Sequence, residues 1–486
     1  MKEKLRALNP TAVLIMLLIV SAALRFFDLG AESLWNDELS SWMQSKVQSV
    51  NEVVANAIDD VHPPGYQVFI YYFMRQFGDS EAVLRLPSAV AGVLATLLTY
   101  LLGKMLYSRS AGLTAAAIIT VSWNPILYAQ EARSYSILLT ITLACSYFWV
   151  ELVTSLYEQR RARNIVILGY IASAVIACYV HYFGLLFVAL QGIFGALILY
   201  KRPRAFFYLS SIYIAVLVFY SPWIPSMLDQ MSRHREFWIP EPVFLDMLLS
   251  QFQFAYKVPS WFLLLFVVPA YVYFLVRMAG YSIRKVRDSV TPQAIAADVF
   301  LLMWVAAPFV AAFIQSKVST PVMTSRNLII LLPPLYIILS GVLWRLPWKP
   351  VGTVWALIVV VGITSSTLHS FGYYDSIKKQ QFREAAGFVL ENDEGIPVIA
   401  WVFHKQYFEY YFERMGSTRK IDMIAGYPED LPSLQAFLAG GDEREFWYMT
   451  GHRNTDPEFL ARVEEKYRLV DIKEFKGASV RRYQLF

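Results

Sequence analysis

The chain has 486 residues, 56% of them hydrophobic and only 17% charged, with a mean hydropathy of +0.42. Soluble domains run nearer ~45–50% apolar and ~25% charged, so composition excludes an ordinary soluble protein, a disordered chain, a disulfide-built secreted fold and a nucleic-acid binder. The net charge of +5 matters less than its placement: residues 371–486 hold 35 charges in 116 positions and residues 1–370 only 46, which predicts a membrane-embedded body (1–370) followed by a water-soluble domain (371–486).

In chain order, the apolar run 11–27 follows Lys2, Lys4 and Arg6 in the manner of a signal peptide, but no small-residue cleavage site follows it. A retained first helix is therefore expected. About 20 mostly apolar residues cross the hydrocarbon, and candidate spans lie near 11–29, 84–106, 111–129, 134–154, 164–181, 183–200, 206–225, 260–277, 298–316, 327–345 and 350–368. Eleven spans are expected. With the N-terminus cytoplasmic, seventeen Lys/Arg flank spans on that side and only Arg133, Lys317 and Arg326 occupy the short loops opposite. The positive-inside rule then places the first loop (30–83), the loop 226–259 and the C-terminal domain outside the cytoplasm. Cys145 and Cys178 sit inside apolar runs and read as packing residues.

After the first span comes Leu34-Trp35-Asn36-Asp37-Glu38-Leu39. Apolar residues at Leu39, Trp42, Met43, Val47, Val50, Val53, Val54, Ala57 and Ile58 are spaced by threes and fours, predicting one amphipathic helix that begins at Asp37 and Glu38. Such a helix would lie flat on the bilayer with Trp42 at headgroup depth. It ends at Asp59-Asp60-Val61-His62-Pro63-Pro64-Gly65-Tyr66, where two prolines impose a rigid extended turn and hold His62 beside two carboxylates. The third and fourth spans meet at Gln130-Glu131-Ala132-Arg133-Ser134-Tyr135, where Glu131 and Arg133 are the only charges between Arg109 and Glu151.

Taken in order, Leu34-Trp35-Asn36-Asp37-Glu38, His62-Pro63-Pro64-Gly65-Tyr66, Arg85-Leu86-Pro87-Ser88 and Gln130-Glu131-Ala132-Arg133-Ser134-Tyr135 resemble the N-terminal half of GT-C-fold membrane glycosyltransferases. The branch is the bacterial one related to protein O-mannosyltransferases and lipid A aminoarabinose transferases. The resemblance covers roughly residues 10–200. It implies a polytopic α-helical fold and transfer of a sugar, with inversion, from a polyprenyl-phosphate donor to a glycan, lipid or protein acceptor outside the cytoplasm.

The residues suit that chemistry. A hydroxyl attacking an anomeric carbon needs a carboxylate to take its proton, and the departing phosphate needs positive charge beside it. Asp37 is the expected general base, matching the acidic position of the family's first-loop motif, with Glu38 orienting it or binding acceptor. Arg133 is the first candidate for the donor phosphate, because a guanidinium binds phosphate bidentately. Arg326 and Arg233, the latter in the run Arg233-His234-Arg235, are further candidates. His62, Glu131 and Asp60 are candidates for metal or substrate. Asp37, His62 and Glu131 offer ligands suited to Mg, Mn or Zn, though no tight ligand spacing decides whether a metal takes part.

The loop 226–259, with Phe237, Trp238, Pro240, Pro242 and Phe252, reads equally well as a lid over a lipid groove or as an interfacial hairpin. Beyond 371 the pattern predicts helices at 376–391, 404–415 and 456–466 and strands at 397–403, 446–450, 468–474 and 479–485, a small α/β domain with Gly440-Gly441 as a turn. No nucleophile motif or phosphate loop occurs in it. The competing reading is a lipid or polysaccharide transporter, or a non-catalytic envelope-assembly protein. A transporter would need ionisable residues at mid-depth along a path through the spans, and the carboxylates lie instead at span ends.

Overall fold

The computed structural model describes residues 9–233, 239–281, 292–392, 395–424, 444–452 and 457–486. The basic residues Lys2, Lys4, Arg6, Arg284, Lys285 and Arg287, the loop residues His234, Arg235, Phe237 and Trp238, and the turn Gly440-Gly441 lie outside the described residues. The chain divides into two compact units that do not follow chain order. One comprises residues up to Phe27, Val47–Gln76 and Leu84–Tyr374. The other comprises Asp28–Lys46, Phe77–Val83 and Asp375–Phe486.

The first unit is helical. Among the described residues eight helices are long and apolar enough to cross a membrane, and nine if the bent pair Arg109–Val121 and Trp123–Ala129 counts as one. Two further expected spans form shorter apolar helices, Pro10–Phe26 and Asn164–Val180. Length and apolarity thus do not reproduce the expected count of eleven.

The bent pair turns through 62°, and its cause is local. Pro125 enters at the third residue of Trp123–Ala129, so a continuous helix would lose a hydrogen bond and clash with the preceding turn. Carbonyls freed at such a break must be satisfied inside the protein. Arg25, fully buried on the first helix, supplies the donors. Its Nη1 donates to the Thr120 carbonyl at 3.2 Å and its Nη2 to that of Ile119 at 2.9 Å. Elsewhere in this unit Asp298 is closed by Arg345, which donates to both of its oxygens at 2.8 and 2.5 Å, and by the hydroxyls of Tyr107 and Tyr281. That carboxylate is saturated, the arrangement of a structural anchor.

The second unit is a mixed five-stranded sheet among the described residues, with order β2-β1-β3-β5-β4. Its strands are β1 (Val398–Trp401), β2 (Met423–Ile424), β3 (Glu445–Gly451), β4 (Tyr467–Phe475) and β5 (Ala478–Leu485). β1 runs parallel to β2 and β3, and β5 pairs antiparallel with β3 and β4. Helices Phe382–Glu391, Gln406–Arg414 and Pro457–Glu464 interleave with the strands. The two-residue β2 is too short to leave a periodic signal. The helix expected from 376 begins only at Phe382, because the backbone before it is held otherwise: the Lys378 and Lys379 amides donate to Glu32, at 2.8 Å for Lys379.

The single amphipathic helix expected after Asp37 is two helices, Asn36–Ser45 and Val50–Asp59, and the division between units falls between them. Ser49 starts the second, its hydroxyl accepting the Glu52 amide at 3.3 Å, a cap that apolar periodicity conceals. Lys46 at the end of the first reaches Asp79 at 2.6 Å. Trp42 is correspondingly not a headgroup anchor. It is 8% exposed, its ring 4.8 Å from that of Tyr410 and its Nε1 donating to Asp79 at 3.1 Å.

Candidate functional site

The turn after helix Val50–Asp59 is fixed from outside itself. Gln230 Nε2 donates to the carbonyls of Ala57 at 2.7 Å, Ile58 at 3.3 Å and Asp60 at 2.9 Å. Gln230 is in turn held by the Tyr182 hydroxyl, which accepts from Trp223 Nε1. The Pro63-Pro64 corner then runs into helix Gly65–Phe77. Gly65 is required by a close approach, since a Cβ there would stand 2.5 Å from the Tyr179 carbonyl oxygen.

Within this turn His62 Nδ1 lies 3.2 Å from Asp60 Oδ2. Burial alone would raise the Asp60 carboxyl. The His62 hydrogen bond and charge, the Val61 amide and the charge of Arg133 outweigh it, holding Asp60 well below the usual carboxylate range. Asp60 is therefore an anion that pins His62.

Arg133 sits on the turn between helices Trp123–Ala129 and Tyr135–Tyr157. Ser88, from the Arg85-Leu86-Pro87-Ser88 stretch, donates to the Arg133 carbonyl at 3.1 Å, and Ser136 donates back to the Ser88 carbonyl at 2.8 Å. Gln130 Nε2 caps the end of the first helix, donating to the Phe27 carbonyl at 2.8 Å. Glu131 is buried on the same turn.

Arg326 arrives from a distant segment, just before the short helix Asn327–Leu331, where Asn327 fastens the backbone by donating to the Val322 carbonyl at 2.9 Å. The guanidinium carbons of Arg133 and Arg326 are each 5.9 Å from the centroid of the Tyr135 ring, the range of a cation–π contact. His181 joins them, its ring 5.9 Å from that of Tyr135 and 5.3 Å from that of His62.

The structure thus gathers Asp60, His62, Arg133 and Arg326 around Tyr135 and His181. It pairs Arg233 differently, with Asp229 and, at 3.4 Å, with Asp59. Asp37 and Glu38 open helix Asn36–Ser45 in the other unit. Asp37 is half-buried, its Oδ1 accepting from Asn36 at 3.1 Å. Glu38 is fully buried, one oxygen accepting the Trp35 amide at 3.2 Å and the other paired with Lys379 at 3.0 Å. No group of three or more His, Cys, Asp or Glu able to hold a metal ion occurs among the described residues. The sequence reading missed His181. Its signal was a lone imidazole between two apolar runs, at the same end of the spans as Arg133.

Two guanidinium groups and the His181 imidazole thus flank the Tyr135 ring, with the His62 ring against that of His181. Residues 61–226 match the family model described as dolichyl-phosphate-mannose-protein mannosyltransferase, a stretch that includes His62, Arg133 and His181. No curated protein matches the chain. Crystal structures of ArnT from Cupriavidus metallidurans are similar along nearly the whole chain. The apo form has a TM-score of 0.61 at 12% identity, covering 97% of this chain and 98% of that one. The form bound to undecaprenyl phosphate has a TM-score of 0.58 with the same identity and coverage. The apo Archaeoglobus fulgidus oligosaccharyltransferase gives 0.51 at 12%, covering 98% of this chain and 75% of that one. This is the GT-C glycosyltransferase fold. In this fold the apolar helices make a multi-pass membrane protein, and the cluster of Arg133, Arg326, His62 and His181 draws on four separate segments of it.

Proposed function

We propose that the protein is a glycosyltransferase that moves a sugar from a polyprenyl-phosphate donor to a glycan, lipid or protein acceptor on the extracytoplasmic face of the membrane. The observation that carries this reading is the convergence of Arg133 and Arg326 on Tyr135 beside His62 and His181. Supporting it are the family-model match and the fold shared with ArnT, a protein crystallised with undecaprenyl phosphate.

In this reading the guanidinium groups grip the phosphate, and Asp60 holds the His62 ring in place beside the His181 ring. Asp37 accepts the proton of the acceptor hydroxyl as its oxygen bonds to the anomeric carbon. The bond from that carbon to the phosphate oxygen breaks, and the electron pair leaves on the phosphate, where preorganised cations stabilise the growing charge. Glu38 supports the first turn that carries Asp37, and Arg233 fastens the end of helix Val50–Asp59. The N-terminus is cytoplasmic and the C-terminal unit extracytoplasmic.

The test is release of polyprenyl phosphate by purified protein offered a panel of polyprenyl-phosphate sugars. Asp37→Asn should reduce kcat by ~10²–10⁴-fold, the usual contribution of a general base, with donor affinity intact. Normal turnover in Asp37→Asn would refute the base assignment.

A further inference from the structure

The imidazole of His181 uses one nitrogen in holding the fold. Its Nδ1 accepts the Phe183 amide at 3.2 Å, capping helix Tyr182–Leu199. An acceptor nitrogen bears no proton, so the neutral ring carries its hydrogen on Nε2. That Nε2 is buried and has no hydrogen-bond partner among the described residues, in a side chain only 4% exposed. A buried donor left alone is costly and rare, and asks for an explanation.

Capping does not supply one. Asn caps a helix at least as well, so the second nitrogen is surplus to that role. The surroundings do supply one, because the ring lies between His62 and Tyr135, and Tyr135 carries Arg133 and Arg326.

We propose that His181 Nε2–H donates a hydrogen bond to an oxygen of the donor lipid's phosphate, making His181 a further substrate-binding residue. This rests on the function proposed above and deepens it. A phosphate is favoured over a sugar hydroxyl because the neighbours Arg133 and Arg326 are themselves donors. A phosphate oxygen accepts from several donors at once, whereas a hydroxyl would bring a proton with few acceptors nearby. As a neutral donor, His181 binds the anion without adding a further full charge beside the guanidinium groups.

The test uses the full-length protein in lipid nanodiscs, with polyprenyl phosphate and the matching polyprenol as paired probes. His181→Asn keeps a capping acceptor but is too short to reach the Nε2 position. It should weaken polyprenyl phosphate binding about ten- to a hundred-fold, the value of one hydrogen bond to a charged group, and leave polyprenol binding unchanged. Unchanged phosphate affinity, or equal loss for both lipids, would overturn the proposal. Arg133→Ala separates this from the underlying reading: if it loses phosphate affinity while His181→Asn does not, the phosphate site stands and the His181 assignment falls. If neither variant loses affinity, the site reading itself falls. Should His181→Asn fail to fold, His181→Gln decides, since its amide reaches the Nε2 position. A retained preference for phosphate over alcohol is expected, and its loss would overturn the assignment.

Discussion

Replacing Lys379 with Met should destabilise the C-terminal unit sharply. Glu38 is fully buried and the Lys379 side chain is 6% exposed, with Nζ 3.0 Å from Oε1. Removing one partner of a buried ion pair leaves an uncompensated charge and costs about 3–5 kcal/mol, whereas replacing both by uncharged groups of similar volume is often nearly neutral. The Glu38 carboxylate would still accept the Trp35 amide at 3.2 Å but would lose the Lys379 charge. Lys379→Met is therefore expected to lose about 3–5 kcal/mol, and the double variant Glu38→Gln/Lys379→Met to recover most of it. A urea series read by pulse proteolysis of the full chain in nanodiscs would report both, using cleavage of the C-terminal unit as the signal. A loss below ~1 kcal/mol in Lys379→Met, or a double variant as damaged as the two single losses combined, would refute the buried-pair account.

Arg326→Ala should weaken polyprenyl phosphate binding about ten-fold or more and flatten its salt dependence, since one charge-assisted contact is lost; titration at two ionic strengths checks this. Gly65→Ala should destabilise the first unit by ~1–3 kcal/mol, as overpacking does, because the new Cβ meets backbone at 2.5 Å and backbone cannot give way. The displaced His62 turn should weaken phosphate binding as well, and a thermal shift with a binding curve reads both. The C-terminal unit should lose stability in acid. Burial opposes ionisation of Asp79 and Glu32, but Lys46, Trp42 and Arg414 around the first, and Lys378 with the Lys379 amide around the second, lower both carboxyls. A lowered native pKa gives stabilisation that is present above about pH 4 and lost as the pH falls through the native values. The urea midpoint should accordingly drop between pH 7 and pH 3, and by less in Asp79→Asn.

Several features were legible because they depend on neighbours in sequence. Apolar runs marked the spans, since a membrane helix needs little more than length and apolarity. The charge-rich tail and its alternating strands and helices were readable for the same reason. Pro63-Pro64 forecast the corner at His62, because proline restricts the backbone in any context. Of the candidate cations, Arg133 and Arg326 were picked by type and by lying at span ends. Their common neighbour Tyr135 was visible only as part of a motif.

Tertiary structure decided the rest, because it depends on segments far apart in the chain. Whether Trp42 met lipid or protein turned on Asp79 and Tyr410, which no local pattern connects to it. The amphipathic face across 39–58 looked continuous because periodicity does not register a capping serine or a lysine drawn to Asp79. Arg233 and Arg326 looked alike in sequence until the fold set one against Asp59 and Asp229 and the other beside Tyr135. His181 could be recognised as a donor only once Phe183 had claimed Nδ1 and burial had closed off water. Sequence alone determined a chain of many apolar helices, a charge-rich tail and the kinds of group available for chemistry. Folding determined which of those groups share a site, since electrostatic and hydrogen-bonding forces act over a few ångströms of space irrespective of separation along the chain.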